Sequence, residues 1–200
     1  MAEADGFGRK DNNMSVRTKQ WTRSQYEAMV AQGVLGPQDH VQLIRGEIVE
    51  MTPQGAAHAA AVRAAEEILR RHFGEGYDVR VQLPLALGAD SEPEPDVSVV
   101  TGSFRDYRDQ HPRTALLVVE VADTTIDFDR ENKRMLYAAA GVPEYWIVVL
   151  PDRTLEQFHT IQTRADGTRD YQVHRQFQVG ETFALTISPR PRISVSDLFP

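Results

Sequence analysis

Residues 116–125 read LLVVEVADTT, with one carboxylate, Glu120, inside an otherwise aliphatic run from Leu116 to Val121. A short, almost continuously apolar run is the pattern of a strand covered on both faces. Burying an unpaired carboxylate costs several kcal/mol, a large share of a domain's net stability. The stretch therefore predicts a central strand and, elsewhere in the chain, a partner that offsets the charge of Glu120.

Working outward, the preceding run PDVSVV (95–100) reads as a neighbouring strand with Asp96 at its entry, joined to the first by the loop TGSFRDYRDQHPRT (101–114). The segment DFDRENKRMLYAAAG (127–141) has helical periodicity, with Asp127 or Asp129 near its N-cap and Gly141 at its end. PEYWIVVL (143–150) follows as a second strongly apolar strand. Upstream, AAHAAAVRAAEEILRRHFG (56–74) is the clearest helix, with His58, Val62, Ala65 and Leu69 on one face. A shorter helix is expected in TRSQYEAMVAQG (22–33), where Thr22 and Gln25 make a capping box and Gly33 fits the stop. VQLIRGEIVEM (41–51) reads as a hairpin turning at Arg45-Gly46, and YDVRVQLPLALG (77–88) as a strand. A hairpin about Asp166-Gly167 and the strands FALTIS (183–188) and RISVSDLF (192–199) close the domain. This order predicts an α/β fold, a mixed central β-sheet flanked by helices with additional β-hairpins. Residues 1–19, polar and rich in Gly, Asn and Asp, are expected to form a disordered N-terminal tail, with Met14 a second candidate start, and residues 20–200 a single domain.

The chain has 200 residues and no cysteine, which excludes disulfide frameworks, thiolate metal sites and cysteine nucleophiles. No run is apolar enough to span a bilayer, and the N-terminus has no secretory core, so a soluble cytoplasmic protein is expected. A net charge of −7 argues against a general nucleic-acid coat. Of the 22 basic residues only Lys10, Lys19 and Lys133 are lysines. Lys133 is thus the sole lysine of the expected domain, as a site needing a compact point charge would require.

If the strands bearing Asp96 and Glu120 pair side by side, their carboxylates converge and repel unless a cation lies between them. A divalent ion with oxygen ligands, Mg²⁺ foremost and Mn²⁺ as a substitute, is the simplest compensator, and Lys133 would overhang the acids from the following helix. An Asp after Pro, a strand Glu and a Lys resemble the skeleton of the PD-(D/E)XK nuclease superfamily. More closely, RGEIVEM, PEPDVSVV, LLVVEVAD, DRENKRMLY and AGVPEYWIVV resemble the Uma2 family of restriction-endonuclease-like proteins, over roughly residues 21–200.

That resemblance implies a restriction-endonuclease-like core and Mg²⁺-dependent hydrolysis of phosphodiester bonds, with nucleic acid, DNA first, as partner. It implies Asp96 and Glu120 as catalytic metal ligands, Glu47 as an additional acid, the Val121 carbonyl as a further ligand and Lys133 as the catalytic cation. The superfamily's usual lysine position, two residues after the strand Glu, is Ala122 here, so the lysine is displaced to the helix. The alternative is a catalytically weak nucleic-acid-binding or regulatory protein that keeps the fold. Gln82 is read as lining the cleft, and Tyr137 as positioning a phosphate or the lysine, or as core. His58 is read as a packed, hydrogen-bonded histidine. The pair Asp129 and Lys133 has the spacing of an exposed i, i+4 ion pair. Tyr145 and Trp146 are read as core or as the apolar surface of a homodimer.

Overall fold

The computed structural model describes residues 18–188 and 191–199. The expected tail therefore lies, apart from Thr18 and Lys19, outside the described residues, as do Met1 and Met14.

Strand β5 (Leu117–Ala122) lies inside a six-stranded sheet of order β3-β4-β5-β6-β7-β8, formed with β3 (Tyr77–Val81), β4 (Val97–Thr101), β6 (Glu144–Val149), β7 (Thr154–Thr163) and β8 (Arg169–Gln178). Only β5 and β6 run parallel, with Leu117 opposite Glu144 and Ala122 opposite Val149; the other neighbours are antiparallel. The sheet is mixed because β5 reaches β6 through a helical crossover, whereas hairpins and loops join the other neighbours. Two small hairpin-like sheets stand apart, β1 (Val41–Ile44) with β2 (Glu47–Glu50), and β9 (Thr182–Phe183) with β10 (Ile193–Ser194). Arg45-Gly46 makes the predicted β1–β2 turn, and Gly46, at φ +80°, has room for no Cβ, which would come within 3.2 Å of the Trp21 carbonyl.

Every residue of β5 and of β6 is buried, and alternation assigns their side chains to two cores. Leu117, Val119 and Val121 pack with Val62, Ala65 and Leu69 of helix α2 (Ala56–Phe73). Val118 and Ala122 pack instead with Leu136, Tyr137 and Ala138 of helix α4 (Arg134–Ala140). Glu120 has the parity of the second set, which aims it at the crossover. Tyr145 and Trp146 are fully buried within one chain, so this segment supplies core and not the apolar surface of a homodimer.

Helix α1 (Arg23–Ala31) starts at Thr22 with the expected capping box to Gln25. The crossover departs from the expected single helix. It is a short α3 (Ile126–Phe128) capped by Thr125, then a π-helical turn over Asp129–Lys133, then α4, ended by Gly141 at φ +81°. Asp127 lies in the first turn, near the N-cap as expected. YDVRVQLPLALG is also shorter than expected as a strand: it stops at Val81, and Gln82 takes φ +50°. No helix among the described residues is long and apolar enough to cross a membrane.

Candidate active site

The ladder between β4 and β5 ends at Val97 opposite Val119, while β5 continues to Ala122. The N–H of Val121, two residues on and facing the same side, is left without a backbone acceptor from β4. Asp96 supplies one: its Oδ2 accepts from Val121 N at 2.8 Å. Its other oxygen accepts from the Gln82 side-chain amide at 3.4 Å, and the Asp96 carbonyl accepts from Gln82 N at 3.2 Å. Gln82 thus spends a left-handed backbone conformation, costing about 1–2 kcal/mol, on a double clamp of Asp96. His58, on the first turn of α2, brings Nε2 to 3.2 Å from Asp96 Oδ2. Burial, the largest effect, pulls the imidazole pKa down, but the hydrogen bond and charge of Asp96, helped by the Val121 backbone, outweigh it and raise it.

Glu120 is 3% exposed, and both its oxygens are occupied. Tyr137 donates its hydroxyl to Oε1 at 2.6 Å, and the Lys133 ammonium lies 2.9 Å from Oε2. Desolvation, opposed by Lys133 and reinforced by the charges of Asp96 and Asp129, pushes the Glu120 carboxyl up to about 7. Lys133 is itself buried, which favours its neutral form, yet Glu120 and then Asp129 overcome this and hold it above its ordinary value. The same environment drives the Tyr137 phenol well upward, so it stays a donor.

The π turn places Asp129 beside this pair. Its Oδ1 is 3.5 Å from Lys133 Nζ, its Oδ2 accepts from Thr125 Oγ1 at 2.8 Å, and burial raises its pKa. The i, i+4 pair, whose spacing would also suit the surface, is buried, with Asp129 2% exposed. π-Helical turns cluster at functional sites because the widened turn re-aims a side chain.

Asp96, Glu120, Lys133, Gln82 and Tyr137 therefore meet as the sequence suggested, although the ion pairs of Lys133 are to Glu120 and Asp129, not to Asp96. The Val121 backbone is beside Asp96 and His58. Glu47 is different: it is exposed on β2, opposite Ile44 in a separate sheet. Asp129 is the acid that sequence reasoning missed, although the spacing Asp129, Lys133, Tyr137 (i, i+4, i+8) signals one helix face. His58 was foreseen as packed and hydrogen-bonded, but not as a partner of Asp96.

Carboxylate oxygens are the donors a hard divalent cation takes. Three carboxylates, Asp96, Glu120 and Asp129, share the site with one ammonium, which Asp129 Oδ1 faces at 3.5 Å. The donors are close but not gathered on one point: among the described residues no group of three or more His, Asp or Glu side chains is arranged to hold a metal ion. Glu120 Oε2 faces Lys133, and Asp96 Oδ2 faces Val121 N and His58.

The sequence matches the Uma2 family, described as "Putative restriction endonuclease", over residues 23–194. The chain belongs to the Uma2 family. A solved structure described as "a putative nuclease belonging to DUF820 from Anabaena variabilis ATCC 29413" aligns with a TM-score of 0.66 at 14% sequence identity. The alignment covers 89% of this Uma2 chain and 97% of that one, and shows that the two share a fold. No curated protein matches the chain.

Proposed function

We propose that this Uma2 protein is a Mg²⁺-dependent endonuclease, with Mn²⁺ able to substitute, that hydrolyses phosphodiester bonds in DNA. The observation that carries the reading is the buried contact of Lys133 with Glu120, at 2.9 Å, beside a second strand-borne carboxylate at the open end of the β4–β5 ladder. A purely structural pair has little reason to be kept there, because buried ion pairs are seldom worth their desolvation.

In this reading Asp96 and Glu120 hold the cation, with the Val121 carbonyl as a further ligand. Glu47 enters on the family resemblance alone. The bound ion supplies positive charge to the phosphoryl oxygens and lowers the cost of ionising a water. Tyr137 and Gln82 fix the two carboxylates by their hydrogen bonds, so the acids need no reorganisation when substrate arrives. Lys133 supplies a compact ammonium, a donor for the attacking water or the scissile phosphate. The apolar walls of β5 and α4 keep solvent away and the electrostatics strong.

A net charge of −7 favours the rival reading, a regulatory or nucleic-acid-binding protein that keeps the fold with little activity. Plasmid and oligonucleotide cleavage with Mg²⁺ or Mn²⁺ separates the two. The endonuclease reading expects cleavage by the wild type, lost in Asp96→Ala, Glu120→Gln and Lys133→Met variants that remain folded. A folded, metal-binding wild type that cuts no nucleic acid would favour the rival.

A further inference from the structure

A divalent ion ligated by Glu120 would draw on the same negative charge that holds Lys133 at 2.9 Å, and so weaken that hold. Were Glu120 its sole partner, Lys133 would be poorly anchored once the ion bound. The structure provides a second anchor. Asp129 is 2% exposed, and its Oδ1 has no hydrogen-bond donor, facing the ammonium at 3.5 Å.

The rest of Asp129 is immobilised. Its Oδ2 takes the Thr125 hydroxyl at 2.8 Å, and its N–H donates to the Thr125 carbonyl at 3.0 Å. Its carbonyl receives the Tyr145 hydroxyl at 3.2 Å and the N–H of Arg134, five residues on, which closes the π turn. Tyr145 belongs to β6, so this acid is braced by the sheet and not only by its own helix. A carboxylate fixed on every side but one, with its free oxygen toward a lysine, is built to hold that lysine.

We infer that Asp129 is the positioning residue of the site, retaining Lys133 when a divalent cation takes Glu120. The inference rests on the metal-dependent reading above and adds to it a division of labour: Glu120 serves the ion, Asp129 serves the lysine. It also places the lysine's second acid on the crossover.

The composition of the chain offers a direct test. Lys133 is the only lysine in residues 20–200, so amine chemistry on the folded protein reports one site, read by peptide mass spectrometry apart from Lys10 and Lys19. Reductive methylation with isotope-labelled formaldehyde would be run on the full chain with and without Ca²⁺, a non-cleaving probe whose binding is followed by calorimetry and shown to require Glu120. In the wild type Lys133 should be protected in both conditions. In Asp129→Asn, an isosteric change that keeps the Thr125 bond, it should stay protected without Ca²⁺, because Glu120 still holds it. With Ca²⁺ bound it should react on the order of tenfold faster, because its second counter-charge is gone.

Equal protection of Asp129→Asn with and without bound Ca²⁺ would overturn the inference while leaving the metal reading intact. A collapse of Ca²⁺ affinity in Asp129→Asn would show that Asp129 ligates the ion itself, and would overturn it too. Absence of Glu120-dependent Ca²⁺ binding in the wild type would sink the metal reading and this inference together. Should Asp129→Asn fail to fold, Thr125→Val frees the same carboxylate and predicts the same Ca²⁺-dependent exposure in smaller degree.

Discussion

Replacing Lys133 by Met separates an electrostatic role from a packing role. Met has nearly the length of the lysine stem, so the apolar contacts of a side chain only 10% exposed are largely kept. What is lost is the one positive charge between Glu120 and Asp129. Removing one partner of a buried pair typically costs about 3–5 kcal/mol, because the other charge is left uncompensated. The cost must depend on pH. The Glu120 carboxyl already stands at about 7 instead of 4.5, so the fold favours its protonated form more than the unfolded chain does. A carboxyl with a raised folded pKa binds more protons folded than unfolded, so its stabilisation is full below 4.5 and is lost as pH rises through about 7. Without Lys133 the folded value rises further, and the loss continues to higher pH. Urea unfolding of wild type and Lys133→Met should therefore show a small gap near about pH 5, widening to about 3–5 kcal/mol near about pH 8. With urea slopes of about 1–3 kcal/mol/M, that is a midpoint shift of more than about 1 M. A gap of equal size at both pH values would mean that lost packing, not lost charge, is being measured, and would refute the argument.

Glu120→Gln should abolish Mg²⁺ binding, and because Asp129 still faces Lys133 it should cost less stability near about pH 8 than Lys133→Met does; an equal or larger loss in thermal melts at that pH contradicts this. Tyr137→Phe should cost about 1–2 kcal/mol by depriving Glu120 of its 2.6 Å donor, and should weaken calorimetric Mn²⁺ affinity without changing the circular dichroism spectrum. Gln82→Ala should lower metal affinity about 10–100-fold by loosening Asp96, a typical cost of losing an outer hydrogen bond. Glu144→Gln is the structural control. Glu144 accepts from Trp146, Gln157 and both the N–H and hydroxyl of Thr186, all neutral donors at 2.6–2.7 Å, so an amide there should cost about 2–4 kcal/mol of stability and leave metal binding unchanged.

The contrast between these two buried glutamates shows what the sequence could convey. Glu120 was conspicuous because an acid interrupted an apolar strand, and Lys133 because it was the domain's only lysine. Both signals are compositional and survive without coordinates, as do the strands and the capped helices around them. Glu144 opens β6 in a similar apolar run, but its donors arrive from β6, β7 and Thr186, an arrangement that spacing cannot announce. Asp129 was missed for a different reason: four residues from a lysine is equally the spacing of a solvent-facing pair on an ordinary α-helix, and neither the π turn nor the burial of that face is written in local sequence. Glu47 marks another limit, since its adjacency to a motif-like hairpin gave no information about exposure. The strand stop at Gln82 also escaped, because a left-handed glutamine is fixed by what it clamps, not by its own propensity.

Asp96 does two jobs with one side chain, closing the sheet at Val121 and facing the candidate metal site. This has a bearing on how relatives of this protein should be read. A homologue that had abandoned catalysis would still be under pressure to keep an acceptor for that backbone N–H, so an aspartate at this position marks ancestry of the fold and is poor testimony for activity. The buried trio of Glu120, Asp129 and Lys133 carries the opposite information. A well-packed apolar set would hold the fold about as well, so survival of the complete trio in a given relative is the better sign that the chemistry survives there.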